Sequence, residues 1–240
     1  MAVARQGSAG ETPALRQSAV DGVTEYLRAM IHRGEVVSGE ALPSERQLAE
    51  TLGVGRVTLR AGIRHLTEEG YLVAKRGASG GTFVTGLTEP HQRWLARMRE
   101  NLHDLEDIFE YRTALERWAV KLAASRRTKK DLTLMTGAIA ATRSSTSVDA
   151  YRSADSSFHL AVAAAARSPR ISAGIADSRQ SLFTMTDALP YDAEIRRTGD
   201  EHAEIHAAIL AKDGELGAHL MEAHIDRTRL LLRSLIRSAK

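Results

Sequence analysis

Apolar residues recur at spacings of three and four along most of this 240-residue chain, the period of helices with one buried face. Val20, Val23, Leu27 and Ile31 predict a first helix over about 16–33, stopped by Gly34. In Leu42-Pro43-Ser44-Glu45-Arg46-Gln47-Leu48, Ser44 can cap the Gln47 amide while Gln47 reaches back, and Pro43 can pack on Leu48. That helix is short and ends near Leu52 and Gly53. After the turn Gly53-Val54-Gly55, a helix over about 56–69 stops at Gly70. The pattern then changes to two short strands, 71–75 and 81–84, joined by the glycine-rich loop Arg76-Gly77-Ala78-Ser79-Gly80. Beyond residue 92 only helical periods remain, broken near 100–103, 126–130, 144–147, 167–169, 188–192 and 212–214.

The expected fold is mainly α: an N-terminal winged helix-turn-helix followed by an all-α bundle of six or seven helices. Its divisions are a disordered tail at 1–15, the DNA-binding domain at 16–86, a linker at 87–91 and a helical metal- and effector-binding domain at 92–238. Composition narrows the function. There is no cysteine, so a disulfide framework, a thiolate zinc site and an iron–sulfur cluster are excluded, and any metal must rest on histidine and carboxylate. No stretch of about 18 apolar residues and no apolar leader segment is present, so a soluble cytoplasmic protein without a membrane partner is expected. The net charge of +3 says little, but between residues 56 and 76 five basic side chains meet two acidic ones. The basic footprint is a local patch.

With Leu59 set at zero on a helical wheel, Ile63 and Leu66 fall within ~40°, while Arg56, Arg60 and Arg64 form a stripe centred ~100° away. One stripe can pack and the other can face a groove, where guanidinium forks suit phosphates and the O6/N7 edge of guanine. A solvated face pairing with Glu68 or Glu69 is the plainer reading of those arginines alone. The capping box, three-residue turn, arginine stripe and glycine-rich wing together favour DNA. These residues, with Leu52-Gly53-Val54, Leu59-Arg60, Leu66 and Gly70-Tyr71-Leu72, resemble the DNA-binding domain of the GntR family of bacterial transcription regulators. The resemblance implies that Arg46, Arg56 and Arg60 contact operator DNA, with Arg76 and Gly77 at the wing tip; Arg64 and Lys75 complete the basic surface. Two departures stand out. Gly55 replaces the usual Ser or Thr cap, and Gly62, mid-helix at a cost of about 1 kcal/mol against Ala, predicts close packing against another element.

In the second half, Asp155 and His159 share a stripe with Val148, Tyr151, Val162 and Ala166; His202 shares the inner face with Ile205 and Ile209; His224 lies in angle between Leu220, Leu231 and Leu235. A carboxylate and a histidine at i and i+4 can chelate one ion. Two further histidines complete a set suited to a divalent metal: zinc foremost, with nickel, manganese and iron as alternatives. Separate core histidines bonded to carboxylates are the competing reading. His206, one turn beyond His202, is a partner of the site or a ligand itself, while His32, His65, His91, His103 and His219 are expected at the surface. Arg112 falls at the edge of a buried stripe with Ile108 and Leu115, so either Glu116 or another internal acid meets it, or it awaits a carboxylate ligand.

Glu110-Tyr111-Arg112, Leu115-Glu116, Asp155-Ser156-Ser157-Phe158-His159, Glu201-His202 and Met221-Glu222-Ala223-His224-Ile225 resemble the FCD ligand-binding domain of the FadR-type subfamily. The resemblance implies that Asp155, His159, His202 and His224 bind one divalent metal, that a small organic acid binds beside it with Arg112 as a carboxylate contact, and that the protein is a homodimer. Arg167-Ser168-Pro169 departs from the Asn common before that turn. The expected function is a ligand-responsive transcription regulator, a repressor by default, bound to an inverted-repeat operator. The alternative is a metal-dependent enzyme using the site of one Asp and three His, against which stands the lack of an inward-facing general base besides Asp155.

Overall fold

The structure, a computed structural model, describes residues 13–77, 80–182 and 191–238. The reader is built from α1 (Pro13–His32), α2 (Glu45–Leu52), α3 (Arg56–Glu68), β1 (Leu72–Lys75) and β2 (Gly81–Val84). The bundle follows as α4 (Thr88–Glu100), α5 (Leu102–Arg126), α6 (Lys129–Arg143), α7 (Val148–Ala165), α8 (Pro169–Ser181), α9 (Tyr191–Ala211) and α10 (Gly214–Ser238). The capping box forms as read: the Ser44 side chain accepts from the Gln47 amide, and Gln47 accepts from the Ser44 amide. Gly53 closes α2 in the left-handed region at φ 64°. The wing strands pair antiparallel, with Leu72 opposite Val84 and Lys75 opposite Gly81.

Two apolar cores form, one per half. In the reader Val23, Leu27 and Ile31 of α1 meet Leu48, Leu59, Leu66, Leu72 and Val84; in the bundle Phe109, Met135, Phe158, Ile175, Ile205, Ile209 and Met221 are buried together. Gly62 is where α1 and α3 approach closely. A Cβ there would lie 2.5 Å from Val23 Cγ1 and 3.4 Å from the Thr24 amide nitrogen. Gly62→Ala should therefore destabilise the reader by about 1–3 kcal/mol despite alanine's better helix propensity, measured by thermal melting. A neutral or stabilising result would show that α1 can shift without cost.

Several boundaries differ from the sequence reading. Helix α1 begins at Pro13, inside the segment read as tail, and residues 1–12 lie outside the described residues. The stretch 87–91, read as a linker, is mostly helix: α4 starts at Thr88, with Leu87 before it at φ 58° and both Leu87 and Pro90 buried. Pro90 sits in the first turn, where its missing N–H breaks no helical bond. The break at 188–192 falls largely outside the described residues, α9 being helical from Tyr191. The unusual Arg167 adopts φ 52°, a conformation Asn tolerates better, and its guanidinium is held by Asp131 at 2.6 Å.

His32, expected at the surface, is buried where the reader meets the bundle. Its Nδ1 lies 3.1 Å from the Gln180 carbonyl and its Nε2 3.1 Å from the Tyr71 hydroxyl. Beside it the Gln180 side chain donates to Glu25 at 2.9 Å, and Trp94 Nε1 donates to the Ser181 carbonyl at 3.2 Å. The C-terminal end of α8 is thus the seat of α1. No described helix is long and apolar enough to cross a membrane.

Candidate functional site

Helix α7 sets Asp155 and His159 one turn apart, α9 supplies His202 and α10 supplies His224. All four are buried, and one ligand atom from each lies within 4.8 Å of the others. Asp155 Oδ1 is 3.5 Å from His202 Nε2 and 3.8 Å from His159 Nε2, and the Nε2 atoms of His159 and His224 are 3.3 Å apart. Carboxylates hold the outer nitrogens of two rings. His159 Nδ1 meets Glu116, and His224 Nδ1 meets Glu201 at 2.7 Å, which turns both Nε2 atoms inward.

His202 is the informative member. Its ring stacks on Phe158 at 3.9 Å, and among the described residues neither of its buried nitrogens has a hydrogen-bond partner, Nε2 having only the Asp155 carboxylate 3.5 Å away. Orphaned polar atoms at this depth are costly and rare. A divalent cation would satisfy His202 Nε2, the nitrogen that faces the cluster, and three imidazoles with one carboxylate are a suitable donor set. The residues fit such a group.

The electrostatics agree. Burial alone would raise Asp155, but Arg179, with Nη2 2.5 Å from Oδ2, and the neighbouring histidines hold its carboxyl far below the usual range. Burial pushes His159 well below its ordinary value and His202 down to about 3, so both are neutral, the ligating form, near pH 7. His32 is likewise pushed far down by burial. These histidines take up protons only on unfolding, so stability is fully present above pH ~6.5 and is lost as pH falls below it. Metal-free protein should lose about 1 kcal/mol for each of His32, His159 and His202 between pH 6.5 and 5.5, read from urea midpoints. An unchanged midpoint would mean that the folded state already carries those protons.

Beside the cluster lies a cavity lined by Arg112, Arg152, Arg179, Tyr151, Thr198 and His224, among others. Arg112 has an internal acid, its Nε donating to Glu116 Oε1 at 2.6 Å, and it also lines the cavity, its Nη2 3.4 Å from His159 Nε2. Sequence reasoning missed Arg152 and Arg179. Arg152 sits three residues before Asp155 on one helix face, and Arg179 follows the buried Ile175 by one turn; those spacings were the available signal. His206 stands outside the cluster, half-buried, with Nε2 3.5 Å from Thr136 Oγ1.

On the reader, Arg46, Arg56, Arg60, Arg64, Lys75, Arg76 and Gly77 are all exposed. Arg60 pairs with Glu45 at 2.8 Å, Arg46 with Glu50 at 3.1 Å and Arg64 with Glu68 at 3.9 Å. Exposed pairs of this kind contribute about 0–1 kcal/mol, little enough for a phosphate to displace. The Lys75 ammonium lies 4.4 Å from the centre of the Phe83 ring, and Gly77 takes φ 113° at the wing tip.

A winged helix-turn-helix joined to a helical domain of this kind defines a DNA-binding transcription regulator. Comparison with known proteins makes that specific. Residues 19–84 match the bacterial regulatory proteins of the gntR family, and residues 107–227 match the FCD domain. The HTH-type transcriptional regulator RmpR of Mycobacterium gastri is 31% identical over 218 residues, covering 86% of this chain and 77% of that protein. A protein of Escherichia coli K12 described as an L-lactate dehydrogenase operon regulator is 30% identical over 225 residues, 85% of this chain and 83% of its own. The structure of E. coli McbR/YncC superposes with a TM-score of 0.58 at 19% identity, over 90% of this chain and 98% of that one, and shares the fold. The chain belongs to the GntR family, with the FCD domain of its FadR-type members. It is a regulator and not an enzyme.

Proposed function

We propose that the protein is a ligand-responsive repressor that binds an inverted-repeat operator as a homodimer. In this reading Asp155, His159, His202 and His224 hold a divalent metal, zinc before nickel, manganese or iron, and a small carboxylate binds in the adjoining cavity. The observation that carries it is the buried His202, whose nitrogens have no hydrogen-bond partner among the described residues, beside a cavity rimmed by Arg112, Arg152 and Arg179. When bound, the metal supplies a Lewis-acidic anchor for one oxygen of the acid. The arginines meet the remaining charge, with Tyr151 and Thr198, bonded to each other at 2.9 Å, on the cavity wall. A relative named for an L-lactate dehydrogenase operon fits an effector of that size and charge.

The route to the reader runs through α8. Arg179 grips Asp155 and Ser156, while the next residue, Gln180, receives His32 and Glu25 of α1. A carboxylate that competes for Arg179 would move the seat of α1. The half-exposed Tyr111 and Trp118, on one face of α5, support a second copy as partner. On DNA, Arg46, Arg56 and Arg60 would contact bases and phosphates, Arg64, Lys75 and Arg76 phosphates, and Gly77 would let the wing backbone approach.

The test is operator affinity of zinc-loaded protein with and without L-lactate, citrate and related acids. At least one should change affinity by about 5–150-fold while raising the melting temperature. The His32 contact is to the Gln180 backbone carbonyl and survives alanine there, so the double variant His32→Ala/Gln180→Ala, which removes both contacts to α1, should keep the rise in melting temperature and lose most of the change in affinity. Failure of every acid in both measurements would reject the carboxylate, and an equal response in His32→Ala/Gln180→Ala would reject the route through α8.

A further inference from the structure

We propose that Val57 reads the 5-methyl group of thymine in the operator and sets base preference beside the arginines. Val57 is the most exposed large apolar side chain among the described residues, at 81%. It belongs to neither core. At ~100° per residue, with the buried Leu59 at zero, Val57 falls ~160° away on the crest of α3, and Arg60, Ala61 and Arg64 lie within ~60° of it. It also occupies the first turn of α3, the end that a recognition helix directs at base edges.

A β-branched side chain held in water at that point gains nothing from helix propensity and nothing from the fold. Its chemistry has one match in the major groove. Of the four bases only thymine presents an apolar group there, while guanidinium forks go to guanine or to phosphate. Val57 beside Arg56 and Arg60 therefore forms a mixed reading surface, apolar against thymine and cationic against a neighbouring guanine or phosphate. This inference rests on α3 lying in the groove, and goes beyond it by giving base preference to a side chain without charge. Covering one methyl group corresponds to about a fourfold gain in affinity.

The experiment starts from an operator selected in vitro with the full-length protein. Each dT is replaced singly by dU, which removes the methyl and keeps the pairing. Wild type should lose about fourfold at one thymine in each half of the operator. Val57→Ala, which removes the contact in both halves of the operator at once, should bind the unmodified operator about sixteenfold more weakly and no longer distinguish dT from dU at that position. Val57→Thr, which keeps the branched shape and one methyl, should retain part of the discrimination. Circular dichroism of the variants checks that α3 is intact, and the dU series on wild type stands even if a variant fails to fold. Equal dU losses in wild type and Val57→Ala, or no dU loss in wild type, would overturn the assignment. An Arg60→Ala protein with undiminished operator affinity would overturn the placement of α3 and Val57 with it, whereas a 5–150-fold loss there with flat dU profiles rejects Val57 alone.

Discussion

Chelator-stripped protein should gain on the order of 10 °C in melting temperature when zinc is added well above its dissociation constant, and His202→Ala should gain almost nothing. A ligand at about a thousand times its dissociation constant adds about 4 kcal/mol to a folded state that alone binds it. In a chain of this size each kcal/mol moves the midpoint by about 2–4 °C. His202 is the decisive position because neither of its buried nitrogens is hydrogen-bonded among the described residues and Nε2 faces the cluster, whereas His159 and His224 already have carboxylate partners. Without metal, His202→Ala should even recover part of its packing loss, since two orphaned polar atoms leave with the ring. His206→Ala and the exposed His219→Ala should respond to zinc like wild type. Metal analysis gives the independent readout: near one ion per chain in wild type, and none retained through dialysis in His202→Ala. One retained ion in that variant would remove His202 from the ligand set.

Glu116→Ala should cost about 3–5 kcal/mol of stability, more than a typical core truncation to alanine of its size. Glu116 is fully buried and serves chiefly the Arg112 guanidinium through Oε1 and His159 Nδ1 through Oε2, with Arg179 Nη1 a more distant 4.0 Å from Oε1. Its loss strands a buried cation and frees a ligand ring to turn. Two effects then appear together: a lower urea midpoint and a metal affinity reduced by about 10–100-fold. Glu116→Gln separates them, since it keeps an oxygen for one partner and removes the charge; stability should fall less than in Glu116→Ala while metal affinity still drops. If Glu116→Ala loses stability but binds zinc as tightly as wild type, the carboxylate serves the buried arginines and not the metal ligand His159.

What the sequence revealed follows from which forces are local. The capping box at Ser44, the turn at Gly53 and the wing strands depend on residues within a few positions of one another, and each forms where it was expected. Gly62 announced a close approach because a glycine mid-helix is unfavourable without one, and Val23 is the neighbour. Asp155, His159, His202 and His224 were legible because polar groups on apolar stripes contradict their surroundings. Long-range pairing was not. Nothing in the period of α1 shows that His32 meets Gln180, far away in sequence, so its burial was missed. The start of α4 was hidden by Pro90, which reads as a breaker until it is placed in a first turn. Arg152 and Arg179 look like ordinary surface arginines until α7 and α8 are packed against each other.

The shared end of α8 bears on how such proteins can be recombined. Gln180 and Ser181 belong by sequence to the helical domain, yet they are bonded to Glu25 and His32 of α1 and to Trp94 of α4. A chimaera cut between residues 84 and 88 would join a foreign reader to a bundle whose docking residues were shaped for another first helix. Such a hybrid would fold and bind its operator yet be deaf to the effector. Giving the foreign first helix a glutamate and a histidine at the places of Glu25 and His32, the two side chains that meet Gln180, should restore hearing, so what must travel with this bundle is that pair of α1 residues.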